Sequence, residues 1–153
     1  MYGVRIPRRD DLVDGTVLVH GNARLNLTAA DIAAFVDPPD AALVFGLRAL
    51  PPDTAIDDGF PVWMATLRRR GDTPDAIVET LQRAFPQLVD HESLVHLLTG
   101  IADHARSLGY RKLWLAPQLL KEPLMGPAMK QLAERAGVAF ELVPTSGMMA
   151  FPL

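Results

Sequence analysis

Between Leu94 and Leu108 apolar residues recur every three or four positions. Leu94, Leu97, Leu98, Ile101, Ala105 and Leu108 fall on one helical face, and His96, Gly100 and Asp103 fall on the other. Gly109 is placed to end that helix. Lys112-Leu113-Trp114-Leu115-Ala116 then reads as a strand closed by Pro117. A second apolar helical face, made by Met125, Ala128, Met129, Leu132 and Ala136, stops at Gly137. Phe140-Glu141-Leu142-Val143 reads as a strand ended by Pro144. Thr145-Ser146-Gly147 turns the chain, and Met148 to Phe151 is expected to pair back as a final edge strand. Residues 92 to 143 thus form a helix–strand–helix–strand unit. Strands joined through one helix imply parallel neighbours and a right-handed crossover.

Upstream, Val4 to Ile6 reads as a short strand and Thr16 to His20 as a better one, bounded by Gly15 and Gly21. Thr28 with Asp31 three residues on has the form of a capping box, flanked by Leu27 and Ile32 at the two staple positions. The helix it opens should run from Ala29 to Val36, where Asp37-Pro38-Pro39 ends it. Ala42 to Leu47 is a continuous apolar run, the pattern of a buried strand. Residues 51 to 61 read as a loop rich in Pro and Asp. Val62 to Leu67 has strand composition and leads to a turn at Arg68-Arg69-Arg70-Gly71-Asp72. Residues 74 to 85 admit two readings. Ile77, Leu81, Ala84, Phe85 and Leu88 recur at helical spacing behind Thr73-Pro74, which predicts a helix. Yet Ile77 to Leu81 also has the composition of a strand.

Composition narrows the class. The chain has 153 residues, 49% hydrophobic and 22% charged, which predicts a single α/β domain spanning 1–153 with a sizeable core. A net charge of −3 gives no reason to expect nucleic acid. No apolar run approaches the roughly 18 to 20 residues that span a bilayer, and none near Met1 resembles a signal peptide, so a cytoplasmic protein is expected. There is no cysteine, which excludes disulfides, thiolate metal sites and a cysteine nucleophile. His91, His96 and His104 do not share one helical face, so no metal site is expected from them. His20-Gly21-Asn22 follows a strand and reads as a turn. Thr145-Ser146-Gly147 lacks the setting of a nucleophile elbow. Trp63 and Trp114 read as core anchors.

Leu97-Leu98, Ile101-Ala102-Asp103-His104-Ala105-Arg106 and Gly109, then Leu113-Trp114-Leu115, then Ala128-Met129, Leu132-Ala133-Glu134-Arg135 and Gly137-Val138 together resemble the second half of the GNAT acetyltransferase superfamily. The resemblance implies an α/β (α+β) fold: a mixed sheet with flanking helices in a three-layer domain. Ala42 to Leu47, Val62 to Leu67 and Ala76 to Ala84 would be its antiparallel strands, so residues 76 to 84 become a strand rather than a helix. It also implies acetyl-CoA or another acyl-CoA as cofactor, with a small-molecule or protein amine as acceptor. Under the same resemblance Glu79, on the central strand, stands where a general base belongs. Leu115 and the stretch containing Gln87, Asp90, His91 and Ser93 would form the cofactor cleft. Apart from the resemblance, Arg68-Arg69-Arg70 offers charge for the phosphates of an adenosine moiety or for an acidic partner, beside the plainer reading of a solvated turn. The family's phosphate loop follows the pattern Gln/Arg-x-x-Gly-x-Gly/Ala. Here Gln87-Leu88-Val89-Asp90-His91-Glu92-Ser93-Leu94 has neither glycine nor arginine, and Asp90 and Glu92 bring negative charge to it. The family's asparagine falls near Gly126 and its tyrosine at Ala133. A second reading therefore stands beside acyl transfer: a catalytically silent domain used for ligand binding or assembly, including as a homo-oligomer.

Overall fold

The computed structural model describes residues 2–9, 17–18, 24–25, 28–49, 59–137, 139–143 and 147–153. The expectations for His20-Gly21-Asn22, Leu27, most of the 51–61 loop, and Thr145-Ser146 lie outside them. Thr28 caps the first helix, α1 (Ala29–Phe35), as its spacing predicts: its hydroxyl accepts the Asp31 N–H at 3.1 Å, and the Asp31 carboxylate accepts the Thr28 N–H at 3.0 Å. The long helix, α2 (His91–Ser107), and α3 (Met125–Ala136) end where glycine was expected to end them. Gly109 has φ of 86° and Gly137 φ of 63°, the left-handed region that a side chain resists.

Among the described residues, eight strands form one mixed sheet. They are β1 (Tyr2–Arg5), β4 (Ala42–Arg48), β5 (Phe60–Arg69), β6 (Ala76–Val78), β7 (Leu81–Arg83), β8 (Lys112–Leu115), β9 (Glu141–Val143) and β10 (Met148–Pro152). The order is β1-β4-β5-β6-β8-β10-β9, with β7 also on β5; β2 (Val17–Leu18) and β3 (Arg24–Leu25) pair separately. Among the described residues only β6 and β8 are parallel neighbours, joined by the α2 crossover. Two expectations are corrected here. β10 is not an edge strand: it lies antiparallel between β8 and β9. The helix α3 therefore does not join adjacent strands, because β10 occupies the place between them.

Residues 74 to 85 are not a helix. They form β6 and β7, both antiparallel to β5, as the family resemblance implied. The register slips by one residue between the two strands, so Val78 and Glu79 share the place opposite Leu67. This β-bulge breaks the alternation that would have marked a strand, and the resulting spacing imitates a helix. The preceding strand is longer than the apolar run that predicted it and takes in Arg68 and Arg69.

The faces of β4 explain the layering. Ala42 and Val44 turn toward α2, while Leu43, Phe45 and Leu47 pack with Phe35 and Val36 at α1. Helices thus cover both faces. Leu94, Leu97, Leu98, Ile101 and Ala105 of α2 are buried against the sheet, each large side chain stabilising by about 1.5–3 kcal/mol. Gly46 permits close approach, since a Cβ there would meet the Leu97 Cβ at 3.3 Å. Among the described residues no helix is long and apolar enough to cross a membrane.

Candidate active site

The bulge has a consequence on the far side of β6. The parallel pairing with β8 covers Ala76–Val78 and Leu113–Leu115, and the last backbone link is Ala116 N–H to the Val78 carbonyl at 3.0 Å. Beyond it β7 stays with β5, while the other chain turns at Pro117 into a short 3₁₀ turn, Pro117–Lys121. The two paths diverge and leave a cavity of about 440 Å³, within the usual size range of small-molecule sites. Trp63 and Leu81 line it beside Glu79, Thr80 and Arg83. Gln118, Leu119, Lys121 and Glu122 face them from the other side.

Glu79 is half-buried at the bulge. The Arg68 Nε donates to its carboxylate at 3.3 Å, and a second nitrogen of the same guanidinium completes the ion pair. Two links tie the cavity walls together: the Gln118 amide donates to the Glu79 carbonyl at 2.9 Å, and the Arg83 Nε donates to Glu122 at 2.8 Å. Arg83 also lies over the Trp63 ring, 5.5 Å from its centroid. Gln118, Arg83 and Glu122 carried no signal in the sequence. Their partners are 39 residues away along the chain.

The start of α2 is the second half of the region. Asp90 is its cap. Oδ1 accepts the Ser93 N–H at 2.8 Å, Oδ2 accepts the Tyr2 hydroxyl at 2.8 Å, and Arg48 stands 3.5 Å from Oδ2. Burial alone would raise this carboxyl. The Ser93 N–H, the Tyr2 and Ser93 hydroxyls and the Arg48 charge outweigh it and hold Asp90 below the usual carboxylate range. Burial first, then Asp90 itself, pushes the Tyr2 hydroxyl up, so Tyr2 remains a proton donor. Glu92 is gripped by both terminal nitrogens of Arg135 at 2.8 and 3.0 Å, which lowers its carboxyl further than its slight desolvation raises it. His91 meets the Gln131 amide at 3.0 Å. The Ser93 hydroxyl is buried, accepts the Trp63 indole N–H at 2.8 Å and donates to the Asp90 carbonyl at 2.8 Å.

Of the residues expected at a site, Glu79 lines the cavity. Asp90, His91 and Ser93 cluster at the start of α2, and Gln87 is exposed just before it. Leu115 is fully buried at the end of β8, where the strands part. Trp63 joins the two groups, lining the cavity while bonding to Ser93. The three consecutive arginines are each engaged within the chain: Arg68 by Glu79, Arg69 by Asp40 at 3.7 Å, and Arg70 over the Trp114 ring at 4.1 Å.

A diphosphate does not fit at α2. The first turn of a helix binds anions through free N–H groups and the positive end of its dipole. Here a carboxylate already takes that role, and Glu92 adds a second negative charge on the same turn. A phosphate charge brought to about 4 Å from Asp90 meets at most roughly 4 kcal/mol of repulsion at an effective dielectric of 20, part of which the Arg48 charge 3.5 Å from the carboxylate offsets. Arg48 and Arg135, the cations nearby, are already spent on these two carboxylates.

No family model matches the chain, and no curated protein matches it. Solved structures do. A probable acetyltransferase from Staphylococcus epidermidis ATCC 12228 aligns at a TM-score of 0.55 and 16% identity, over 99% of both chains. Nourseothricin acetyltransferase aligns at 0.50 and 18% identity, over 99% of this chain and 98% of that one. A domain from Methanocaldococcus jannaschii DSM 2661 aligns at 0.52 and 10% identity, over 100% and 97%. At such identities the likeness is one of fold. The chain has the fold of these acetyltransferases, a GNAT-like mixed sheet with flanking helices.

Proposed function

We propose that this chain is an N-acyltransferase that moves an acyl group from a thioester to an amine, within one domain spanning residues 1–153 and in the cytoplasm. The observation that carries this reading is the cavity where β6 and β8 part, with Glu79 among its lining residues. The fold shared with acetyltransferases supports it. Glu79, steadied by Arg68, takes the proton that the amine nitrogen sheds as it bonds to the acyl carbon; the carbon–sulfur bond breaks, its electron pair leaves on sulfur, and the thiolate takes up a proton from Glu79 or water as it departs as thiol. With no cysteine in the chain, the acyl group passes directly to the amine without a cysteine-bound intermediate. Leu81 provides apolar wall for the acyl chain. The acceptor is a small-molecule or protein amine.

A second reading, a silent ligand-binding or assembly domain, is favoured by the capped start of α2, where the diphosphate of an acyl-CoA finds no place. Thioester turnover separates the two. Acyl thioesters are mixed with a panel of amines and thiol release is followed with a thiol reagent; the protein contributes no thiol of its own. Release that depends on the amine supports transfer. No release with any thioester, together with no thermal stabilisation at millimolar thioester, leaves the silent domain.

A further inference from the structure

The misfit at α2 and the open cavity at the β6/β8 divergence point in opposite directions if the donor is an acyl-CoA. They agree if the donor lacks the nucleoside diphosphate. We propose that Asp90 is a specificity-determining residue, and that the acyl donor is a pantetheine-type thioester without a diphosphate. This inference rests on the acyl-transfer reading above.

Three observations carry it. The Asp90 carboxylate is fixed rather than free to swing away, since one oxygen holds the Ser93 N–H and the other the Tyr2 hydroxyl, 88 residues distant. Its neighbour Glu92 is equally fixed by the Arg135 fork. The Trp63–Ser93 bond then couples this sealed turn to the cavity wall, so opening the cap would disturb a buried hydrogen bond. The cavity itself has no such obstruction for an uncharged arm. Besides the charged Glu79, Arg83, Lys121 and Glu122, its lining includes Thr80 and Gln118, whose amide N–H also serves the Glu79 carbonyl, and both can hydrogen-bond the amides of a pantetheine chain. Free acyl-pantetheine has this uncharged chemistry; an acyl-phosphopantetheine arm on a carrier protein adds one phosphodiester charge where acyl-CoA brings a diphosphate.

The test is calorimetric titration of the wild type and Asp90→Ser with S-acetylpantetheine, with an acetylated carrier protein, and with acetyl-CoA. Serine keeps a side-chain acceptor for the helix cap and removes the charge. Wild type is expected to bind S-acetylpantetheine or the carrier-borne arm, and whichever binds more tightly identifies the source. Acetyl-CoA should bind roughly tenfold to hundredfold more weakly. Asp90→Ser should shrink that ratio at least about tenfold, and added salt should shrink it in the wild type as well. Asp90→Asn serves if the serine variant unfolds. Acetyl-CoA binding the wild type as tightly as S-acetylpantetheine, or a ratio unchanged in the variant, overturns the inference and leaves acyl transfer standing. Failure of every thioester to bind overturns both.

Discussion

The Trp63 indole N–H donates to the Ser93 hydroxyl at 2.8 Å, and both side chains are essentially inaccessible to water. The bond joins the middle of β5 to the first turn of α2. It also makes Ser93 part of the core rather than of a surface loop. Ser93→Ala leaves a buried N–H without a partner and removes half of the reciprocal cap with Asp90. The expected loss is about 1–3 kcal/mol of stability, read as a lower urea midpoint at unchanged m. In a double-mutant cycle with Trp63→Phe the two losses should be less than additive, because phenylalanine brings no donor to strand. Full additivity would mean the bond carries no coupling.

Gly100 gives a second prediction. A Cβ at this position would lie 2.4 Å from a Val4 methyl carbon and 2.8 Å from the Val4 Cβ, so β1 passes directly over the helix there. Alanine in a helix is worth about 1 kcal/mol over glycine. Here the overlap outweighs that gain, and Gly100→Ala should destabilise by about 1–3 kcal/mol. Adding Val4→Ala removes the two methyl overlaps but keeps the Val4 Cβ contact at 2.8 Å, so it should recover only part of the stability lost in Gly100→Ala. Thermal unfolding of the two single variants and the double variant checks it; a Gly100→Ala protein more stable than the wild type would sink the interlock.

Gly100 also shows where sequence reading stops. Helical spacing puts it on the polar side of α2, beside His96 and Asp103, and nothing local says that β1 will cover part of that side. Local signals served well where the cause is local. The Thr28–Asp31 box, the glycine stops at 109 and 137, and the buried run of β4 each follow from neighbouring residues. Residues 74 to 85 misled because the bulge at Val78–Glu79 erases alternation, and only pairing with β5 decides the matter. The placing of β10 between β8 and β9 is likewise a property of the sheet. Of the candidate site, Glu79 and the acidic start of α2 were legible. Arg83, Gln118, Glu122, Tyr2 and Arg48 were not, because each acts on a residue 39 or more positions away.

Acid should loosen the start of α2. Asp90 and Glu92 are held below their ordinary values in the folded chain, so each contributes stability that is present above the unfolded value, near pH 4. That contribution is lost as pH falls through the folded values. Asp90→Asn keeps an acceptor for the Ser93 N–H but removes the charge that faces Arg48. The variant should be less stable than the wild type at neutral pH, and the gap should narrow as pH falls below the unfolded carboxylate value of about 4. Urea midpoints across that fall in pH measure it. A gap constant with pH would assign the cap's effect to its neutral hydrogen bonds alone.

Glu79→Gln tests the proposed base. The amide is nearly the size of the carboxylate and still accepts a hydrogen bond from Arg68, so the fold and the cavity should persist. What is lost is the ability to take a proton. The turnover rate should fall about 10²-fold or more at neutral pH, while thioester affinity changes little. Because a more basic medium deprotonates the amine without help, the deficit should narrow as pH rises. Arg68→Ala separates chemistry from positioning: Glu79 survives in it but loses its anchor, so a smaller fall in turnover is expected. Thiol-release rates from about pH 6 to pH 9, spanning the range in which side-chain bases and amines exchange protons, supply the measurement. A Glu79→Gln protein with wild-type turnover throughout would move the proton acceptor to water or to Glu122 across the cavity.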